Sequence, residues 1–139
     1  MSEGRRAMMF DGINLLAVLA AGVASFVAGA AWYGVLGKLW MRAAGLTKEQ
    51  TRPSALLFAG TFLCQLLMAF VFAGLIYHAG PVTVANGLLS ASLVWVGLIA
   101  TSLIVNHRFQ GQPWSLTLID GGHWLAVLLV QGAVIGAIG

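Results

Sequence analysis

The chain reads as an all-α integral membrane protein, a single four-helix bundle, on three grounds. Of its 139 residues 60% are hydrophobic and 8% charged, against roughly 25% charged in a soluble domain. Seven Lys+Arg and four Asp+Glu are too few to solvate a globular surface. Those few charges are spaced so that the stretches between them suit bilayer crossings, each of which needs about 20 residues.

Between Asp11 and Lys38 lie 26 uncharged residues, which predicts a first span over 13–37. A secretory signal peptide is the alternative for this segment, because Arg5-Arg6 precede it and Ala28-Gly29-Ala30 resembles a cleavage site. Its apolar run exceeds the usual 7 to 15 residues of such a peptide, which favours a span. Between Arg52 and Arg108 lie 55 uncharged residues, room for two crossings and a tight turn. His78-Ala79-Gly80-Pro81 supplies the turn, since Pro81 cannot continue a helix. The second span is thus placed at 54–78 and the third at 82–106. Gln110-Gly111-Gln112-Pro113 reads as a loop, and Ser115 as the cap of a fourth span over 115–138. The first loop, 38–53, is the one sizeable segment outside the membrane, and Leu46–Gln50 is a candidate interfacial helix capped by Thr47.

With four spans both termini share one side with the second loop. That side carries Arg5 and Arg6, whereas the first and third loops carry Lys38, Arg42, Lys48, Arg52 and Arg108. The positive-inside rule then puts these loops in the cytoplasm and the termini outside. The same bias explains the net charge of +3 without any nucleic acid as partner. The single cysteine, Cys64, lies in an apolar run and forms no paired Cys/His motif.

Polar residues in a span are costly against lipid, so their spacing reports a buried face; eleven residues complete about three turns. Asn14 and Ser25, Ser90 and Thr101, and Asp120 and Gln131 are each eleven apart, and Thr61 and Gln65 are one turn apart. This spacing predicts one inward polar stripe per helix, with interhelical hydrogen bonding as its plainest role. Ala21, Ser25 and Gly29, and Gly132 and Gly136, recur at four-residue spacing and permit close backbone approach. Gly132 and Gly136 lie more than about 90° around their helix from the Asp120/Gln131 stripe, and so are candidates for contact with another helix or another subunit.

A richer constellation gathers at the side of the first and third loops. Trp32, Tyr33, Lys38 and Trp40 close the first span, Asn106, His107 and Arg108 close the third, and Trp114, Asp120, His123 and Trp124 open the fourth. The aromatics suit an interfacial belt and the basic residues suit anchors. Asp120 and His123 share a helical face, so the carboxylate is expected to pair with His123 or to be reached by Arg108. An ionisable pair inside a membrane is a functional-site candidate, or else a structural ion pair. His78 belongs to the opposite membrane face from His107 and His123, which disfavours haem or metal, and no cofactor is expected. No GxSxG, HExxH, P-loop or nucleotide fingerprint occurs, so no catalytic residue is assigned.

The segment Ile13-Asn14-Leu15-Leu16-Ala17-Val18, followed by Ala31-Trp32-Tyr33-Gly34-Val35-Leu36-Gly37-Lys38-Leu39-Trp40-Met41, resembles the opening signature of a family of small bacterial membrane proteins, domain of unknown function 1761. Asn106 to Gln112 and Gly122-His123 resemble the rest of that pattern. The resemblance implies four transmembrane helices in a bacterial inner membrane and no assigned activity. The residues it marks are Asn14, Trp32, Tyr33, Trp40, Asn106 and His123.

Three functions compete. A small oligomeric transporter or channel-like protein is motivated by the inward polar stripes and by Asp120/His123 at their entrance. Small multidrug transporters are similar in size but rely on a carboxylate deep in their first span, which is missing here. A non-catalytic scaffold subunit of a larger membrane complex is the alternative, and an enzyme acting on lipid or quinone through His107, His123 and Asp120 ranks third. The expected partners are the lipid bilayer and either further copies of the chain or a membrane-complex subunit.

Overall fold

The computed structural model describes residues 10–139; Arg5 and Arg6, which enter the charge bias and the signal-peptide alternative, lie outside them. All regular structure among the described residues is helical, and four helical spans are long and apolar enough to cross a membrane. Helix α1 runs Leu15–Ala44, α2 Ala55–Ala79, α3 Val84–Val94 and, after a π-helical turn at Trp95–Ile99, α4 Ala100–Phe109; α5 is Trp114–Ile138.

Local chemistry sets the ends. Asn14 caps α1, its side chain accepting from the amides of Leu16 and Ala17 at 3.0 and 3.3 Å. Its place in an inward stripe is therefore corrected: it is occupied by the helix's own first turn. Helix α1 continues past Gly37 to Gly45, whose φ of 69° ends it. Lys38 and Arg42 thus stand on the last two turns of a helix, not in a loop. Thr47 and Gln50 bond each other's amides as a capping box does, but Arg52-Pro53 stops the chain and only turns form there, so the interfacial helix is absent. Ser54 and Thr83 cap α2 and α3 through the amides of Leu57 and Asn86. Before α5 the expected cap at Ser115 is replaced by Pro113, whose fixed φ suits the entry to a helix; Ser115 lies inside it.

Helix α5 is the centre of the bundle, packed along α1 on one side and α3 on the other, with α2 lying mainly against α1. Because α5 has neighbours on two sides, it has two inward faces. Gly132 and Gly136 form the second: a Cβ on Gly132 would fall 2.3 Å from the carbonyl oxygen of Gly87, and one on Gly136 would fall 2.3 Å from that of Thr83. These glycines meet α3 of the same chain and not another subunit. Around this contact, toward the termini and second loop, lies an apolar core of Val18, Ala21, Phe72, Ile76, Leu128 and Ile135.

The π-helical turn changes the third span. One extra residue in a turn rotates the remainder of the span by about 100°, so an eleven-residue spacing across it no longer marks one face. Ser90 stays half-buried, but Thr101 is exposed and its hydroxyl returns to the Gly97 carbonyl at 2.9 Å. The inward stripe fails at Thr101. It fails likewise at Thr61, exposed on α2 and bonded to the Leu57 carbonyl at 2.8 Å.

Candidate functional site

At the level of the first and third loops the helices part, and three of them bring polar side chains together. Asp120 sits on the second turn of α5. The Tyr33 hydroxyl on α1 donates to Asp120 Oδ1 at 2.6 Å, and His107 Nε2 on α4 lies 3.8 Å from Oδ2. The carboxylate is about four-fifths buried and the imidazole nine-tenths. His107 Nδ1 meets the Thr117 hydroxyl at 2.8 Å, and Arg108 donates to the same hydroxyl at 2.8 Å. A hydroxyl has one hydrogen and two lone pairs, so Thr117 can accept from Arg108 while donating to His107, which puts the ring hydrogen on Nε2, the nitrogen nearest Asp120 but beyond hydrogen-bond distance of it.

Two sequence-based expectations change here. Asp120 pairs with neither His123 nor Arg108; its partners come from other helices. Arg108 instead lies over the Trp114 ring, 3.8 Å from its centroid, a cation–π contact at the membrane rim. His123 is buried between two aromatic rings, tilted against Tyr33 at 4.8 Å and edge-on to Trp124 at 4.7 Å between centroids. Its Nδ1 has no hydrogen-bond partner among the described residues. Its Nε2 would lie 2.8 Å from a Cβ at position 29, so the imidazole sits against bare α1 backbone because Gly29 has no side chain.

The same Gly29 position faces the amide nitrogen of Gln65 at 3.7 Å, and beyond it begins a second polar group. Ser25 donates to Gln65 Oε1 at 2.9 Å, and Gln131 donates to the Ser25 hydroxyl at 3.0 Å and the Gln65 carbonyl at 3.2 Å. All three residues are buried. A line of polar groups therefore descends the α1–α5 seam from Asp120 and Tyr33 past His123 to Ser25, Gln65 and Gln131, a drop of about 16 Å along α5 by helical rise.

The remaining expected site residues are peripheral. Trp40 packs edge-on to Tyr33 at 5.8 Å, and Trp32 donates to the Ile119 carbonyl at 3.0 Å, tying α1 to α5 beside the carboxylate. Lys38 and Asn106 are exposed at the rim. His78 is exposed at the far end of α2. Sequence reasoning misses Thr117, although its spacing three before Asp120 puts it on that residue's face. It also misses Trp95, which donates to the Gly121 carbonyl at 2.8 Å and fastens the π-helical turn to α5.

These features define a multi-pass, four-helix membrane protein with a polar cluster near one end of the bundle. The chain belongs to the family described as Protein of unknown function (DUF1761), which matches residues 16–136. No curated protein and no solved structure matches it.

Proposed function

We propose that the protein is a small proton-linked transporter of the bacterial inner membrane, working as an oligomer, with Asp120 as its proton-carrying group. Tyr33 supplies the carboxylate's hydrogen bond, His107 stands 3.8 Å from it, and His123, Gln65, Ser25 and Gln131 continue the polar line inward. The charge bias of the loops supports a cytoplasmic position for the Asp120 end. The observation that carries this reading is the Tyr33–Asp120–His107 cluster, a carboxylate hydrogen-bonded by a phenol at 2.6 Å with an imidazole 3.8 Å away in a part-exposed site. Ionisable residues within membrane spans are expensive to keep and serve proton relays and solute sites. The opposite end is closed by the Gly87–Gly132 contact, which fits a carrier that must change shape and not an open pore.

The test is potential-driven proton uptake into liposomes that hold the purified protein and a pH-sensitive dye. Uptake above that of protein-free liposomes, falling to their level in Asp120→Asn, is the expected result. Wild-type uptake no faster than that of protein-free liposomes, both without solute and with a panel of small solutes supplied on the uptake side and inside, contradicts the reading.

A scaffold role is favoured by one observation. The third span has only 6% of its most apolar window buried, and Gly97 on it has open space where a side chain would stand. A stoichiometric foreign subunit in native extracts would support this role, and a purely homomeric species would remove its support.

A further inference from the structure

Over Ala55–Thr61, helix α2 has no buried face. A helix in a bundle turns one side to its neighbours, yet each of these seven residues is exposed, Leu56 at 83% and Leu57 at 59% among them. The side turned toward α5 is therefore left uncovered. Phe26 of α1 holds this part of α2 by edge contacts to Phe58 and Phe62 at 6.2 and 5.6 Å, but α5 does not close on it. Between them lies a groove of about 620 Å³, with Leu56, Leu57, Gly60 and Cys64 on one wall and Trp124 of α5 on the other. That volume is in the range of ligand clefts, roughly 300–1,000 Å³.

The chemistry of the groove is divided. Its lining is apolar apart from Ser54 and Thr61, and both hydroxyls are engaged within their own helix, Ser54 by the Leu57 amide at 3.1 Å and Thr61 by the Leu57 carbonyl at 2.8 Å. Its polar atoms are few: the Ser54 hydroxyl hydrogen, the Trp124 indole N–H and the Cys64 thiol stand among mainly apolar walls. Its mouth is basic. Ser54 marks the N-terminus of α2, the positive end of the helix dipole, and Arg52 precedes it by two residues, exposed. The Thr51 hydroxyl touches Met41 Sδ at 3.3 Å, which brings the last turn of α1, where the exposed Arg42 stands, close to the start of α2. Lys48 adds to the positive charge, and Glu49 is the loop's one acidic residue.

We propose that this groove seats an anionic phospholipid, one acyl chain lying between α2 and Trp124 and the phosphate held at the α2 N-terminus by Arg52 and Arg42. Charge complementarity selects this occupant. A second copy related by a two-fold axis would bring the same basic rim against itself. A zwitterionic lipid would satisfy the apolar walls but not the rim. Trp124 also touches the His123 ring, so the lipid would lie one side chain away from the polar cluster.

The experiment uses the full chain in phosphatidylcholine vesicles containing brominated lipid, which quenches tryptophan on contact. The Trp124 signal is the difference between the protein and Trp124→Phe. Brominated phosphatidylglycerol is expected to quench it at a mole fraction lower than brominated phosphatidylcholine by about fivefold for each basic residue engaged. Arg42→Gln combined with Arg52→Gln is expected to remove that preference. Equal quenching by the two lipids overturns the headgroup assignment. No quenching by either, with crosslinking through Cys64 to another chain, overturns the lipid and gives the groove to protein. A second readout needs no variant: Cys64, exposed in the groove and the chain's one cysteine, should react more slowly with a membrane-soluble maleimide in phosphatidylglycerol than in phosphatidylcholine. Equal rates contradict the proposal.

Discussion

The two ends of the bundle are built from the same four spans on opposite principles. Toward the termini and second loop, glycine backbones of α3 and α5 touch and a core of Ile76, Phe72, Leu128 and Ile135 is closed around them. Toward the first and third loops α2 stands away from α5, and polar side chains line the α1–α5 seam. Lipid tails are as apolar as leucine, so helices in a membrane are held together by close packing and hydrogen bonds and not by a hydrophobic drive. The closed end supplies the close packing. That frees the other end to part and to hold groups chosen for chemistry: a carboxylate, two imidazoles and a phenol.

If the closed end holds the bundle, filling its backbone contact should have the largest effect. Gly132→Ala puts a methyl 2.3 Å from a backbone oxygen that cannot swing aside, and should cost about 3 kcal/mol in reversible unfolding. Gly34→Ala makes the sharpest contrast. It lies on α1 at the open end with nothing within 4 Å, so it should be neutral or stabilising by up to about 1 kcal/mol. At the polar cluster the effect should shift from stability to activity. Tyr33→Phe removes the donor to Asp120 and should lower proton uptake about tenfold, the equivalent of one charge-assisted hydrogen bond, while costing about 1 kcal/mol in unfolding, well below Gly132→Ala.

The smallest effects separate interior from exterior hydroxyls. Ser25→Ala breaks the hub between Gln65 and Gln131 and should cost about 1 kcal/mol, whereas Thr101→Val, facing outward, should stay within about 0.5 kcal/mol by the same unfolding measurement. Equal losses at the two positions would erase the distinction drawn between the faces.

Legibility in the sequence divides along similar lines. The four spans are readable because charge is excluded from lipid, and Gln131 because its spacing from Asp120 keeps both on inward faces; Ser25 and Gln65 are buried although the residues paired with them by spacing, Asn14 and Thr61, are not. Spacing along one helix cannot see across to another, so it pairs Asp120 with His123, its neighbour by i, i+3, when the true partners stand on α1 and α4. It also cannot see an extra residue in a turn. Nothing polar or prolyl marks Trp95–Ile99 as a π-helical turn, and so spacing turns Thr101 inward. Gly132 and Gly136 face away from the polar stripe, which points to another subunit only if a helix has one interior; a central helix has two. Asn14 shows the reverse case: a polar residue at a helix start serves its own first turn before it serves a bundle.

The most direct test of this division is the reach of water into each half. Single cysteines introduced by Asp120→Cys and by Ile135→Cys, each in a Cys64→Ser background, would be exposed to a membrane-impermeant thiol reagent from either side. Asp120→Cys is expected to react from the side of the first and third loops alone, and Ile135→Cys from neither. Labelling of Ile135→Cys at a comparable rate, or of Asp120→Cys from the side of the second loop, would contradict a bundle that is open at one end and sealed at the other.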